Sequence, residues 1–403
     1  MTLKAIDLFA GAGGFSLAAY RTGIDVQAAI ELDKLASETY YMNLVKNYET
    51  QTQVFSQDIN DVDISSLMRF QGIKPGELDL ILGGPPCQGF STHRINDAGK
   101  DDPRNALLLR YFDFVKQFRP KIFLVENVPG LLWSRHADYL ERFFSLTHEH
   151  GYRVIGEKPF VLNARDYGVP QNRKRAFILA VRQDIDTSSF VWPPVPTHSK
   201  SGQQWVTSSC VFERPPESVL IEFKERLVEK FSMSAEQADN RIKQLRWGSP
   251  ITEADPCNVH MEHSVELQTL FKNTPLLGDR TESGRQLACH KNYTGHLDVY
   301  GRIYPHLPSN TITTGCNNPS KGRFVHPWLN HGITLRHAAR LQTFPDDYIF
   351  HGGTMAVAKQ IGNAVPVKLG EALLKSIINL LTENKVNCDF KKSGYVDFDK
   401  ECI

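Results

Sequence analysis

The stretch AIDLFAGAGGFSLA, Ala5–Ala18, decides the fold. It opens as an apolar strand, breaks at Gly11, Gly13 and Gly14 directly after Phe9, and resumes near Phe15 with helical character. Glycines at the carboxyl end of a first strand let backbone approach a ligand there. The spacing is not G-x-G-x-x-G, the usual dinucleotide fingerprint, and the difference suits a ligand with an adenosine but no pyrophosphate to cradle. Glu31 follows 20 residues after Gly11, at the end of the next apolar run, where an acid accepts hydrogen bonds from ribose hydroxyls. Asp58 ends the third run and could accept from an adenine amino group.

Outward from this stretch the same strand-and-helix alternation continues. Strands are expected at Lys4–Phe9, Asp25–Ile30, Gln53–Phe55, Leu78–Leu82, Lys121–Val125, Arg153–Phe160 and Arg175–Val181. Most are apolar at nearly every position, as in strands covered on both faces. Between them Arg104–Phe118 carries Leu108, Tyr111, Phe112, Val115 and Phe118 on one helical stripe. The expected fold class is α/β, a doubly wound, mostly parallel sheet.

The chain of 403 residues is long enough for two domains. Near Gln183 its character changes: TSSFVWPPVPTHSKSG, residues 187–202, reads as a linker. The stretch to about Pro327 is irregular apart from a helix at Glu217–Phe231, and helical patterning returns after Thr334. We therefore expect a first domain over 1–185, a smaller irregular insert over 186–328, a return to the first domain over 329–382, and a polar, loosely held tail over 383–403. No apolar run reaches bilayer length, and the amino terminus lacks the regions of a secretion signal, so the expectation is a soluble cytoplasmic protein. The net charge of +1 names no partner by itself. Seven scattered cysteines without a C-x-x-C pair argue against a disulfide framework or a zinc site.

One cysteine has informative neighbours. In LDLILGGPPCQGFS, residues 78–91, a buried strand ends in two glycines and two prolines before Cys87. Pro85 and Pro86 stiffen that loop, which argues for a thiol presented at the sheet edge rather than packed. In KIFLVENV, Glu126 and Asn127 end another apolar strand at the same edge. An acid there can hold a proton, or merely cap a helix. In YGVPQNRKRAFILAV, Gln171, Arg173 and Arg175 alternate, so a strand would carry all three on one face. That placement calls for an anionic or carbonyl-bearing ligand, or a buried acid.

Together DLFAGAGGFS, GGPPCQGFS, ENV, QNRKR, LRHAARLQTFPDDY and KQIGNAVP, spread over Asp7–Pro366, resemble the DNA cytosine-5 methyltransferase family of bacterial restriction–modification systems. The resemblance implies an S-adenosylmethionine-dependent methyltransferase fold with an inserted target-recognition domain. It implies Cys87 as nucleophile, Glu126 as the acid at cytosine N3, and Arg175, supported by Arg173, at O2. It implies cofactor contacts from Phe9, Gly11, Gly13, Gly14, Glu31, Asp58, Ile59, Pro85, Leu107, Asn363 and Val365. Gln88 and Ser91 would lie against DNA. In the insert, GRIYPHLPSNTITTGCNNPSKGRFVHP (301–327) resembles the family's recognition core, with Thr311 and Ile312 as its Thr-aliphatic pair and Arg302, Lys321 and Arg323 as candidate phosphate contacts. The implied partner is double-stranded DNA, with a cognate restriction endonuclease or defence proteins beside a monomeric enzyme.

The chemistry needs these groups. Carbon 5 of cytosine is a poor nucleophile; a thiolate adding at carbon 6 turns the ring into an enamine that can take a methyl group. An acid and a guanidinium meet the charge on N3 and O2. The thiol must reach the face of the base, so the cytosine must leave the duplex. An RNA cytosine-5 methyltransferase would use the same groups, and comparing activity on duplex DNA and tRNA separates the two. An exocyclic-amine methyltransferase has no need of Cys87. A methyltransferase-like binding module would have no use for Cys87, Glu126 and the arginines.

Overall fold

A computed structural model of the chain describes residues 2–86, 106–156, 158–283 and 298–392. Strands β1 (Leu3–Leu8), β2 (Ile24–Glu31), β3 (Gln53–Ser56), β4 (Leu80–Gly83), β5 (Ile122–Asn127), β6 (Tyr152–Val154), β7 (Phe160–Asn163) and β8 (Lys174–Arg182) form one sheet in the order β3-β2-β1-β4-β5-β8-β6, with β7 also on β8. The strands from β3 to β5 are parallel. β8 runs antiparallel to β5, setting Glu126 opposite Phe177 and Asn127 opposite Ala176. Strand order reverses between β1 and β4, and that switch point is where open α/β sheets bind ligands.

Period-two alternation sorts the strand side chains into two cores. Leu80, Leu82, Ile122 and Leu124 face helices α1 (Gly14–Arg21) and, from the far end of the chain, Val367–Lys392. Ile81, Phe123 and Val125 face α3 (Ile64–Gln71), α4 (Ala106–Phe118) and α5 (Ala137–Glu149). The stripe expected on α4, Leu108 to Phe118, is buried throughout. Helix α2 (Lys34–Tyr40) joins β2 to β3. The single strand expected at Arg153–Phe160 is two, β6 and β7, because Gly156 takes φ +87° and Pro159 follows before β7 begins.

The second region holds α6 (Glu217–Phe231) and α7 (Ala235–Lys243), packed around Phe223, Leu227, Ala238, Leu245, Leu276 and Leu277, and α8 (Val265–Asn273), whose Leu270 and Phe271 pack on Val325. Phe212, Ile303, Ile312 and Phe324 belong to the same core as the sheet. The segment expected as a linker is a strap on the first domain. Trp192 is buried in the main core, Tyr167 donates to the Pro194 carbonyl (2.9 Å), and Trp205 Nε1 donates to Asp166 (2.9 Å). The chain returns through α9 (Leu335–Leu341), α10 (Thr354–Asn363) and α11 (Val367–Lys392). The segment expected as a loosely held tail from residue 383 begins as helix. Helix α11 runs to Lys392, and Asn384 both accepts from and donates to the Asp186 backbone, each at 2.8 Å.

Candidate active site

The glycine stretch folds where β1 ends. Gly13 takes φ +84° and ψ 23° to start α1, and a Cβ there would stand 2.8 Å from Leu44 Cδ1 and the Tyr348 hydroxyl. A Cβ on Gly14 would meet the Val365 carbonyl oxygen at 2.6 Å, so the turn before α11 sits directly on the loop. Gly11 N–H donates to Glu31 Oε2 (2.9 Å) and Asp33 N–H donates to Oε1 (2.7 Å), which aims the Glu31 carboxylate across the end of β2. Burial pushes the Glu31 carboxyl above its ordinary value, against those two bonds. Next along the edge, Asp58 Oδ1 accepts from Asn60 N–H (2.8 Å), and Ile59 is buried beneath. Arg110 of α4 holds this turn through the Ile59 and Val62 carbonyls. Phe9 and Leu107 are half-buried beside it, Pro85 and Val365 are buried, and Asn363 is exposed at the end of α10.

This donor set suits an adenosyl ligand. Nothing lies within 4 Å of the position a Cβ would take on Gly11, so the loop faces open space beside two carboxylates. Behind the loop the structure adds a group the sequence reading passed over: Asp7, buried in β1, accepts from Ser16 Oγ at 2.6 Å, and burial pushes its carboxyl up to about 7. Its signal was there to read, a carboxylate inside a strand apolar at Ala5, Ile6 and Leu8.

At the ends of β4 and β5 the geometry is acidic and cationic together. Glu126 is 8% exposed and ion-pairs through Oε1 with Arg175 Nε at 2.9 Å. Gly84 lies against it: a Cβ there would come within 3.1 Å of Glu126 Oε2. Asn127 Nδ2 donates to the Pro85 carbonyl (3.3 Å), holding the proline loop on the end of β5. Cys87, Gln88 and Ser91 lie outside the described residues; the last described residue before them is Pro86, at this edge.

Gln171, Arg173 and Arg175 do not act as one face. β8 begins at Lys174, so the period-two argument fails before it. Arg175 meets Glu126, whereas Gln171 and Arg173 are fully buried at the junction with the second region. Arg173 donates to the carbonyls of Ile312 (2.9 Å), Gly362 (2.8 Å) and Ala364 (3.1 Å), and it lies close enough to Arg175 and Glu126 to interact with both charges.

Two of the three candidate phosphate contacts are also corrected. Arg302 is buried, donating to the carbonyls of Phe271, Thr274, His326 and Leu329 and to Asn330 Oδ1. Burial pulls its guanidinium down to about 10. Arg323 is buried against Asp298, the Gly278 and Arg302 carbonyls and the Tyr304 ring. Arg302 spends every donor inside the second region, and Arg323 turns its Nη2 towards Asp279 Oδ2 at 3.9 Å. Lys321 is exposed. Thr311 donates to the Asn172 carbonyl (2.6 Å) and Ile312 is fully buried, its N–H on Gln171 Oε1 (2.8 Å).

Comparison with known proteins agrees with this geometry. Residues 3–379 match the family described as C-5 cytosine-specific DNA methylase. The chain is 31% identical over 410 residues to type II methyltransferase M.DdeI of Desulfomicrobium norvegicum, covering 96% of this chain and 92% of that one. It is 30% identical over 391 residues to type II methyltransferase M.XorII of Xanthomonas oryzae pv. oryzae, covering 93% and 84%. Among solved structures, a putative DNA modification methyltransferase encoded within an Escherichia coli prophage superposes with a TM-score of 0.64 at 25% identity, over 94% of this chain and all of that one. A DNMT2 mutant of Spodoptera frugiperda, 17% identical over 94% of this chain and 100% of its own, shares the fold with a TM-score of 0.57. With glycine loop, acids and ion pair in one row along the sheet edge, the chain belongs to the C-5 cytosine-specific DNA methylase family and is a DNA cytosine-5 methyltransferase whose methyl donor is S-adenosylmethionine.

Proposed function

We propose that the enzyme methylates carbon 5 of a flipped-out cytosine within a specific duplex sequence, through a covalent bond to Cys87, as the modifying partner in a restriction–modification or phage-defence system. The observation that supports it best is the Glu126–Arg175 pair at 2.9 Å on the edge where the Pro85–Pro86 loop leads to Cys87. Cytosine carries N3 and O2 on neighbouring atoms of one edge, and a carboxyl beside a guanidinium can meet both at once. The Cys87 thiolate adds at carbon 6, Glu126 delivers a proton at N3, and Arg175 holds O2. Carbon 5 then takes the methyl group; loss of the carbon 5 proton and elimination of Cys87 free the product. Glu31, Asp58 and the glycine loop hold the cofactor, which when bound supplies an electrophilic methyl on a sulfonium.

The inserted region over 186–328 faces DNA and reads the bases around the target, with Lys321 on phosphate and Gln88 and Ser91 at the target. The relatives that are type II methyltransferases support the restriction–modification setting, and duplex DNA is the substrate such a site needs. The test is a duplex carrying 5-fluorocytosine, in which fluorine blocks the elimination step. Wild type is expected to form a denaturant-stable complex with that duplex only when S-adenosylmethionine is present. Cys87→Ala is expected to bind cofactor normally and form none. Methyl transfer retained by Cys87→Ala would remove the thiol from the mechanism.

A further inference from the structure

The turn between α10 and α11, which carries Asn363 and Val365, and the recognition segment around Thr311–Thr314 are joined through one buried guanidinium. Arg173 Nη1 donates to the Ile312 carbonyl, while Nη2 donates to the carbonyls of Gly362 and Ala364. The last two are carbonyls at the end of α10, left without helical partners and at the negative end of its dipole, so a cation is well placed there. Gln171 runs beside it, accepting from Ile312 N–H and donating to the Leu341 carbonyl and Gln342 Oε1. Gln342 completes the set through the carbonyls of Ile361 (2.6 Å) and Ala364 (3.1 Å). The two backbones touch: a Cβ on Gly362 would lie 2.3 Å from the Thr313 carbonyl carbon. On the glycine-loop side, Val365 presses on Gly14.

We infer that Arg173 is a positioning residue that couples cofactor binding to the order of the DNA-reading segment. This rests on the reading of the Asn363–Val365 turn as a cofactor contact and of the Thr311–Thr314 segment as a DNA-facing one. A group bound on the glycine loop fixes the α10–α11 turn, and the shared guanidinium passes that restraint to Ile312. The effect is reciprocal by linkage, so cognate DNA that orders the segment tightens the cofactor by the same factor. Lysine cannot substitute: a point charge on a flexible stem does not fork across three carbonyls.

Amide hydrogen exchange on the full chain, with and without S-adenosylhomocysteine, reads both ends of the coupling without turnover or DNA. In wild type the ligand is expected to slow exchange over Asn363–Val367 and over Ser309–Cys316. In Arg173→Lys the first protection stays, while the second falls at least about fivefold, the lower range of ordinary coupling. Equal protection of both segments in the variant overturns the coupling. Should Arg173→Lys fail to fold, wild type alone decides: protection of Asn363–Val367 by the ligand with none over Ser309–Cys316 overturns the proposal. If the ligand binds wild type but leaves Asn363–Val367 unprotected, it is the cofactor reading of that turn that has failed, and the coupling falls with it.

Discussion

Glu126 and Arg175 meet because β5 and β8 run antiparallel, bringing the end of one strand to the start of the other. Replacing Glu126 with Gln keeps the shape and removes the acid, so the methylation rate is expected to fall by about two to four orders of magnitude, the usual range for a lost general acid. Duplex binding is expected to change little, and single-turnover kinetics beside a binding titration separate the two. A variant near wild-type rate would give Glu126 a structural role. Gly84→Ala tests the same spot from the other side. Its added methyl would lie 3.1 Å from Glu126 Oε2, so the acid must shift while the cofactor loop does not. A rate loss of about tenfold, equivalent to about 1.4 kcal/mol in the barrier, is expected with unchanged cofactor affinity. In the second region, single arginines divide by burial. Arg302→Ala is expected to lower the melting temperature, because four carbonyls and an amide oxygen lose their donor. Lys321→Ala, on an exposed side chain, is expected to weaken DNA binding on all sequences and reduce the salt slope by about one. If Arg302→Ala instead behaves like Lys321→Ala, the burial argument is wrong.

Between the end of α7 and the end of α9 the chain packs histidines on one another. His260 and His331 stack with ring centroids 4.1 Å apart, and His326 lies 5.4 Å from both His331 and His337. His306 stands apart among Phe223, Phe231 and Tyr304, with no hydrogen-bond partner on either ring nitrogen among the described residues. Burial pulls His306 and His337 down to about 3 and His326 well below its ordinary value. A folded-state value below the unfolded one means the unfolded chain binds more protons, so stability is full above about pH 6.5 and is lost as pH falls through the window towards 3. Asp7 acts in the opposite sense. Its raised value favours the fold at low pH, and that contribution is lost as pH rises from 3.8 to about 7. Glu31, also raised, acts with it; each group contributes at most about 1.4 kcal/mol per pH unit, so three deeply buried histidines outweigh two carboxyls. The urea midpoint is expected to be lower at pH 5 than at pH 7.5, and His306→Phe to flatten that dependence. A midpoint unchanged across the range would show that the rings titrate freely.

Legibility from sequence follows the same physics. Strands buried on both faces are apolar throughout, and a charge at their ends stands out, which is how Glu31, Asp58 and Glu126 could be read directly. Arg302 and Arg323 could not, because nothing in a loop-built segment says which cations cover backbone and which face outward. The backbone contacts of Arg173 could not either, because alternation does not show where β8 begins.

At the scale of the molecule, the question is whether recognition can be moved with the insert. The boundaries 186–328 do not fall at gaps in the packing. Residues up to Trp205 strap the first domain, and Phe212, Ile303, Ile312 and Phe324 share its core. Across the return of the chain, Arg336 of α9, with no exposed surface, forks onto Asp255 at 2.5 and 3.0 Å. Breaking such a pair from one side leaves an uncompensated buried charge, so Asp255→Asn is expected to destabilise the fold by about 3–5 kcal/mol, measurable by urea unfolding. A graft must therefore keep Asp255, the strap and the Ser309–Thr314 segment that Asn172, Gln171 and Arg173 hold. The groups at the sheet edge serve any cytosine and cannot tell one neighbouring base from another, whereas side chains in a groove can. Exchanging the region between the strap and Gly301 for that of another family member, with Asp255 kept, is expected to leave the rate on a permissive site nearly unchanged and to move the methylated sequence. Bisulfite sequencing of host DNA reads the outcome. A stable, active chimera that still modifies the parent sequence would place recognition outside the exchanged region, in the retained 302–328 segment or the first domain.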